Sequence, residues 1–317
     1  MNHSKRRFVA SLAMLAALTT TAFAQDYPAK SIEIIVPSSA GGSTDTTARI
    51  FAEVAESKNE GFKFVINNID GSGGQKGFEA IARAKADGYT MGLVFTPQLV
   101  AHIAAGRAKY TLDSFHVIGN TADDPAIVVV PKESPIKSLA DLAEAAKGGD
   151  LTVAVNGIGS DDFLAAKNFE TLAGVTFNLL PTKGSTEQKA GILGGHVDAS
   201  FMNLSQMEAQ HKSGDATIIA VLTDQRNDLI PEVQTSVESG FDVQMRATRG
   251  FVTPAGVPDD IQAKLDSIFA DVMADPAFQE KAAASSIYLL PMNGPDYTAY
   301  LQNLQAATQK VFDAAPW

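Results

Sequence analysis

Short runs of apolar, often β-branched residues alternate with amphipathic stretches along most of the chain. The run at 32–36 (IEIIV) is followed by helical spacing over about 44–57. Runs at 62–67 and 89–95 flank a second helical stretch at 75–86. At 126–131 the segment AIVVVP is apolar at nearly every position, the pattern of a strand covered on both faces. Ser138 and Asp141 form a capping-box-like start to the next helix, and Gly148-Gly149 end it. The alternation resumes with a strand at 151–155, a helix at 160–173 and a strand at 175–180. It continues with a helix at 185–193, a strand at 197–202, one more helix, and a strand at 217–222. A short extended piece at 250–253 precedes Pro258, which opens a long helix with Ile261, Leu265, Ile268, Phe269 and Val272 on one face. Asp275-Pro276 interrupts that helix and starts another. A short strand near 287–290 and a helix from Pro295 complete the pattern.

Repeated strand–helix–strand units predict an α/β fold with mostly parallel sheet flanked by helices. The strands are too many for one sheet, so two lobes are expected, with crossings near 122–130 and 223–250. The corresponding divisions are 25–123 for the first part of lobe 1, 124–245 for lobe 2, and 246–317 for a return that completes lobe 1.

The first 24 residues read as a cleaved secretory signal. Lys5, Arg6 and Arg7 precede the apolar stretch 8–18, and Ala22-Phe23-Ala24 is an A-x-A cleavage site. That stretch is shorter than the roughly 20 residues a spanning helix needs. The full chain has a net charge of −11; without the signal, 22 basic face 36 acidic residues, a net −14. Such a surface disfavours nucleic acid. A local array of N–H donors still holds a small anion, because distant charges are screened over about 8–10 Å. Without cysteine there is neither a disulfide framework nor a thiolate metal site.

The most informative segment is Ser38, Ser39, Ala40, Gly41, Gly42, Ser43, Thr44 and Asp45, which leads from an apolar strand directly into a helix. Paired glycines let the backbone approach a ligand, and the helix start offers unpaired N–H groups and the positive end of the helix dipole. Together they make an anion seat. Asp45, in the first turn, is expected to cap the loop's own N–H groups. The segment Asn156, Gly157, Ile158, Gly159, Ser160 and Asp161 repeats the design, and Thr182, Lys183 and Gly184 do so again after the following strand. All lie at strand carboxyl ends, where open α/β sheets place ligands. A fourth cluster, Asp70-Gly71-Ser72-Gly73-Gly74, either approaches the ligand or is a structural turn. For each segment the alternative is a plain strand–helix connection.

An enzyme is disfavoured. His3, His102, His116, His196 and His211 show no metal-ligand spacing, no G-x-S-x-G elbow surrounds Ser160, and no phosphate-binding glycine motif follows a strand. The adjacent pairs Asp123-Asp124 and Asp161-Asp162 read as helix caps or solvated groups. No cofactor and no metal are expected.

Four stretches resemble a known family: YPAKSIEIIVPSSAGGSTDTTAR from Tyr27, GSGGQKGFEAIARAKADGYTMGLV at 71–94, ILGGHVDASF at 192–201 and RGFVTPAGVPDDI at 249–261. In order and spacing they resemble the periplasmic solute-binding receptors of tripartite tricarboxylate transporters, the Bug or TctC type. The resemblance implies a two-lobed type II periplasmic binding protein, monomeric, that closes on a carboxylate and delivers it to one large and one small integral membrane subunit. It implies that residues 38–45 and 156–161 hold a carboxylate from the two lobes and that 182–185 faces the cleft. Ala40 departs from the family's usual P-G-G, and Thr248 replaces a frequent tryptophan. Beside it, Arg249 is a candidate bidentate partner for a distal carboxylate; the alternatives are a surface or a hinge-bridging arginine. A sensory module feeding a membrane signalling receptor would need the same cleft.

Overall fold

The computed structural model of the protein describes residues 27–182 and 184–317; the signal segment expected at 1–24 and the side chain of Lys183 lie outside them. The chain runs β1 (Ile32–Val36), α1 (Ser43–Lys58), β2 (Phe64–Asn68), α2 (Gln75–Arg83), β3 (Thr90–Phe95), α3 (Gln98–Ala104) and β4 (Phe115–Pro131). Then come α4 (Leu139–Ala145), β5 (Thr152–Val155), α5 (Asp161–Ala173), β6 (Asn178–Pro181), α6 (Ser185–Leu193), β7 (Ala199–Asn203), α7 (Leu204–Ser213) and β8 (Ala216–Val221). Last are β9 (Arg246–Pro254), α8 (Asp259–Met273), α9 (Pro276–Ala284), β10 (Leu289–Asn293) and α10 (Gly294–Ala314).

The α/β fold expected from the alternation is present. In one half β1 lies parallel between β2 and β3; in the other β5 lies parallel between β6 and β7. Long antiparallel strands join the halves. From Phe115 to Pro125, β4 pairs with β9; from Ala126 to Pro131 it pairs with β7 and β8. Alternation along the strands explains the layers on either side. Ile32, Ile34 and Val36 pack with Phe51 of α1 and Phe269 of α8, whereas Ile35 faces Phe78 and Ile81 of α2. Likewise Val128 and Val130 join Phe163 and Phe169 of α5, while Ile127 and Val129 face Met207 and Ile218.

The sequence pattern misses two elements. The first half of β4, FHVIGNTADDP, holds Asn120, Thr121, Asp123, Asp124 and Pro125 where a buried strand is normally apolar. These groups are buried because this is the crossing between halves. The other miss is α3, seven residues without a side-chain cap. The capping prediction at Ser138 holds: its hydroxyl accepts from the Asp141 amide at 3.1 Å, and Asp141 accepts from the Lys137 amide at 3.0 Å.

Two glycines fix how closely helices approach the crossing. A Cβ on Gly250 would fall 2.2 Å from Cε1 of Tyr297 in α10, and one on Gly119 would fall 2.4 Å from Cε1 of Phe269 and 2.5 Å from the Met292 carbonyl. Gly250→Ala and Gly119→Ala are each expected to cost about 1–3 kcal/mol through overpacking, read as a lowered midpoint in urea unfolding with an unchanged m-value.

Candidate ligand site

The first turn is built around Asp45. Gly41 has φ +83°, a conformation that favours glycine, and this aims its N–H at the Asp45 carboxylate at 2.8 Å. The same carboxylate accepts from Arg49 Nε at 2.9 Å and Asn68 Nδ2 at 3.0 Å. Burial works against its ionisation, but the bonds from Arg49, the Gly41 amide and Asn68 outweigh it and hold the pKa below the usual carboxylate range. Asp45 therefore caps its own turn, as expected. Gly42, the residue before the 16-residue α1, is exposed, and no side chain caps that helix. Ser39 is hydrogen-bonded to Asp70, and the buried Ser38 hydroxyl has no partner.

The second turn is organised by Ser160 and Asp162. Ser160 Oγ accepts from the Phe163 amide at 3.1 Å and donates to the Gly157 carbonyl at 2.9 Å. Asp162 Oδ2 accepts from the Asn156 amide at 3.2 Å. The third turn is attached to it: Thr182 N and Oγ1 both donate to the Val155 carbonyl, at 2.8 and 3.2 Å, and Oγ1 also lies 3.2 Å from the Gly184 carbonyl.

The four glycine turns form one continuous arc. Ser39 ties the first to Asp70 in the fourth. In that fourth turn the Gly73 carbonyl meets His102 Nε2 of α3 at 3.2 Å, and burial lowers the His102 pKa so that the ring is neutral. One residue earlier in α3, Ala101 Cβ lies 3.6 Å from where a Cβ on Gly159 would sit. Gly157 then abuts Thr182. The helix missed in the sequence is thus the piece that joins the turns of the two halves. The sequence offered a weak signal for it, the run LVAHIA directly after Pro97-Gln98.

An arc of backbone amides at strand ends, in two α/β halves joined by long antiparallel strands, has close counterparts. The sequence profile of the family described as "Tripartite tricarboxylate transporter family receptor" (TctC) matches residues 47–315. The chain belongs to this family. Among curated relatives, protein BugT of Bordetella pertussis is 31% identical over 231 residues, 71% of each chain. A TctC solute-binding protein from Polaromonas, solved without ligand, superposes with a TM-score of 0.80 at 28% identity, covering 91% of this chain and 99% of that one. The R. palustris protein Rpa4515, solved with adipate, gives a TM-score of 0.77 at 25% identity, covering 91% and 98%.

In this TctC-family receptor, the remaining predicted residues lie deeper. Arg249 is 12% exposed and its Nη2 lies 3.9 Å from Asp124 Oδ2 on the neighbouring strand β4. Thr248 is fully buried, hydrogen-bonded to Thr96 at 2.7 Å and to Tyr297 at 2.8 Å. The side chain of Asp161 points inward and accepts from Asn203 Nδ2 at 2.6 Å. The acidic pairs are not solvated groups: Asp124, Asp161 and Asp162 are each at most 3% exposed. Burial raises the pKa of all three, and the Asp161 charge raises that of Asp162 further. Asp123, facing Arg246 at 3.0 Å, is pushed up to about 6 by burial despite that partner. A 770 Å³ groove lies elsewhere, between β4 and β10 on one side and α8 and α10 on the other, and none of the four turns lines it. Among the described residues no metal-binding cluster is present, and no helix is long and apolar enough to cross a membrane.

Asp162 Oδ1 is buried without a partner, and its carboxyl titrates above its unfolded value. The folded state therefore holds a proton that the unfolded state releases, and stability falls as pH rises from the unfolded pKa of about 3.9 toward the folded one. Asp162→Asn removes that dependence while keeping an acceptor for the Asn156 amide and Gln188. The variant is expected to be more stable than wild type at pH 7.5, by on the order of 1 kcal/mol, with the gap closing toward pH 4. Urea unfolding at several pH values reads this directly.

Proposed function

We infer that this chain is a periplasmic receptor that captures a small carboxylate between its two lobes, without transforming it, and hands it to the membrane subunits of a tripartite tricarboxylate-type transporter. The observation that carries this reading is the arc of four glycine turns, with the uncapped start of α1 at one end and the Gly159 turn against α3 at the other. Exposed N–H groups at a long helix start favour an anion by charge and by hydrogen bonding. The bound adipate of the R. palustris relative is a carboxylate of this kind. Export follows from the signal read at 1–24. We place the lobe boundaries near 123 and 245; the change of β4 partners between Pro125 and Ala126 and the start of β9 at Arg246 support this reading. Residues 38–45, 156–161, 182 and 184 are assigned to the cleft, and Arg249 to the hinge beneath it.

Gly42 offers a clean test. Its φ of −79° and ψ of 169° suit any residue, and an added Cβ would meet only the Ser39 carbonyl at an ordinary 3.6 Å. Gly42→Val should therefore fold normally while covering the helix start. In calorimetric titration with whichever carboxylate binds wild type, it should weaken affinity about tenfold or more, equivalent to losing about 1.4 kcal/mol. A folded variant with wild-type affinity removes residues 38–45 from the site. For the receptor reading itself, a saturating ligand at 100 times its Kd should add about 2.7 kcal/mol of stability in a thermal-shift panel of mono-, di- and tricarboxylates. A protein stabilised by neutral sugars and by no carboxylate has a different function.

A further inference from the structure

Two side-chain donors converge on the Gly159 turn, and neither has a partner in the fold. Trp317, beyond the end of α10, packs edge-on against Phe163 of α5 and Phe312, with ring centroids 5.6 and 4.9 Å apart. This brings its indole Nε1 to 3.4 Å from the position a Cβ on Gly159 would take. That nitrogen is buried and has no hydrogen-bond acceptor. A buried indole N–H ordinarily finds one, since an unmet donor carries the full desolvation cost of the group. From the other half, the loop after α3 brings Nη2 of Arg107 to 3.8 Å from the same point. Arg107 makes no ion pair among the described residues. A guanidinium and an indole N–H thus meet beside the Gly159 turn.

The surroundings restrict what else the occupant carries. Ile158, between the two glycines of the turn, is 55% exposed, and the indole of Trp317 lies beside the neighbouring Gly159. The arginines on the strands and helix nearest the cleft are already neutralised: Arg49 by Asp45, Arg246 by Asp123 and Arg249 by Asp124. The buried carboxyls of Asp124, Asp161 and Asp162 lie behind the turn. One carboxylate is served here; a second charged group on the same ligand finds Arg49, Arg246 and Arg249 already paired, has only the backbone amides at the α1 start to meet it, and loses hydration on entering.

We propose that Trp317 and Arg107 are ligand-binding residues, and that the ligand they select is a monocarboxylate with an apolar, aromatic body, its carboxylate shared by the indole N–H and the guanidinium while its body lies against Ile158 and the indole ring. The assignment rests on the receptor reading above, with the Gly159 turn as part of its cleft. It assigns the ligand class within that reading.

Calorimetric titration of the purified protein with benzoate, phenylacetate, malate, adipate and citrate tests it. An aromatic monocarboxylate is expected to bind at least tenfold tighter than malate, adipate or citrate, and phenylacetamide, its neutral counterpart, to bind far more weakly than phenylacetate. Trp317→Phe keeps the ring and removes the N–H. Arg107→Gln removes the charge from an exposed residue. Each should weaken the aromatic acid about tenfold, the scale of one charge-assisted hydrogen bond, and leave the melting temperature of the unliganded protein unchanged. Tighter binding of malate, adipate or citrate than of both aromatic acids overturns the ligand class and leaves the carboxylate receptor standing. Wild-type affinity for the aromatic acid in both folded variants overturns the roles of Trp317 and Arg107. Binding of none of the carboxylates overturns the receptor reading as well.

Discussion

The pairing of β4 with β9 is the constraint on which the geometry of the site depends. One 17-residue strand belongs to both halves, changing partners between Pro125 and Ala126. At that point two acid–base pairs, Asp123–Arg246 and Asp124–Arg249, cross from one strand to the other. Buried ion pairs add little net stability, because desolvation offsets their attraction, but removing one partner leaves an uncompensated charge and costs several kcal/mol. Such pairs therefore serve geometry more than stability. They oppose slippage of β4 along β9, and slippage by one residue would turn every side chain on the strand to the other face. Gly119 and Gly250 act on the same pair from outside, by letting Phe269 and Tyr297 approach where no Cβ fits.

The two anion-type turns each hold a carboxylate of the chain itself, and their surroundings drive the two groups in opposite directions. Asp45 and Asp162 both sit in the first turn of a helix, and both accept an N–H from the turn before it. The helix start favours the ionised form in either place. Asp45 also receives Arg49 and Asn68, and these hold it ionised. Asp162 has Asp161 beside it and is enclosed on all sides, so burial and a like charge favour the neutral form. The first turn thus carries a fixed negative charge matched by Arg49, while burial and the Asp161 charge at the second favour the neutral form of Asp162. A ligand anion meets less repulsion at the second turn, which is also where Trp317 and Arg107 converge.

Much of this was legible from residue order. The alternation of IEIIV and AIVVVP with amphipathic stretches locates the central strands, because burial against two cores leaves few polar positions; Glu33 is the exception, half-buried and hydrogen-bonded to Asn67. The glycine turns are legible for a similar reason: positive φ at Gly41 and Gly159 has few substitutes. Where reading failed, burial was decided by distant partners. Asp123, Asp124, Asp161 and Asp162 look like solvated caps until Arg246, Arg249, Asn203 and Gln188, remote in sequence, are brought to them. Helix α3 is too short for its periodicity to stand out, and its role as the joint between turns depends on contacts with Gly73 and Gly159 that no local pattern encodes. Arg249 has a chemistry suited to carboxylates, and the structure sets it 3.9 Å from the chain's own Asp124.

A net charge of −11 and a site for anions are compatible because the two act over different distances. The acidic residues are spread over a surface of 15623 Å², and beyond about 8–10 Å salt screens them. Within hydrogen-bonding range, direction decides: an N–H aimed at an oxygen outweighs a carboxylate that faces away or carries its proton. The fold turns the side chains of Asp161 and Asp162 inward, to Asn203 and Gln188, while their helix presents its amide end to the turn. The carboxyls that would repel a ligand are thereby turned away from the helix start, and burial raises the pKa of both. Selectivity then depends on which side chains remain uncommitted once the chain has satisfied its own acids; among the described residues at the turns these include the indole of Trp317, the guanidinium of Arg107 and the hydroxyl of Ser38.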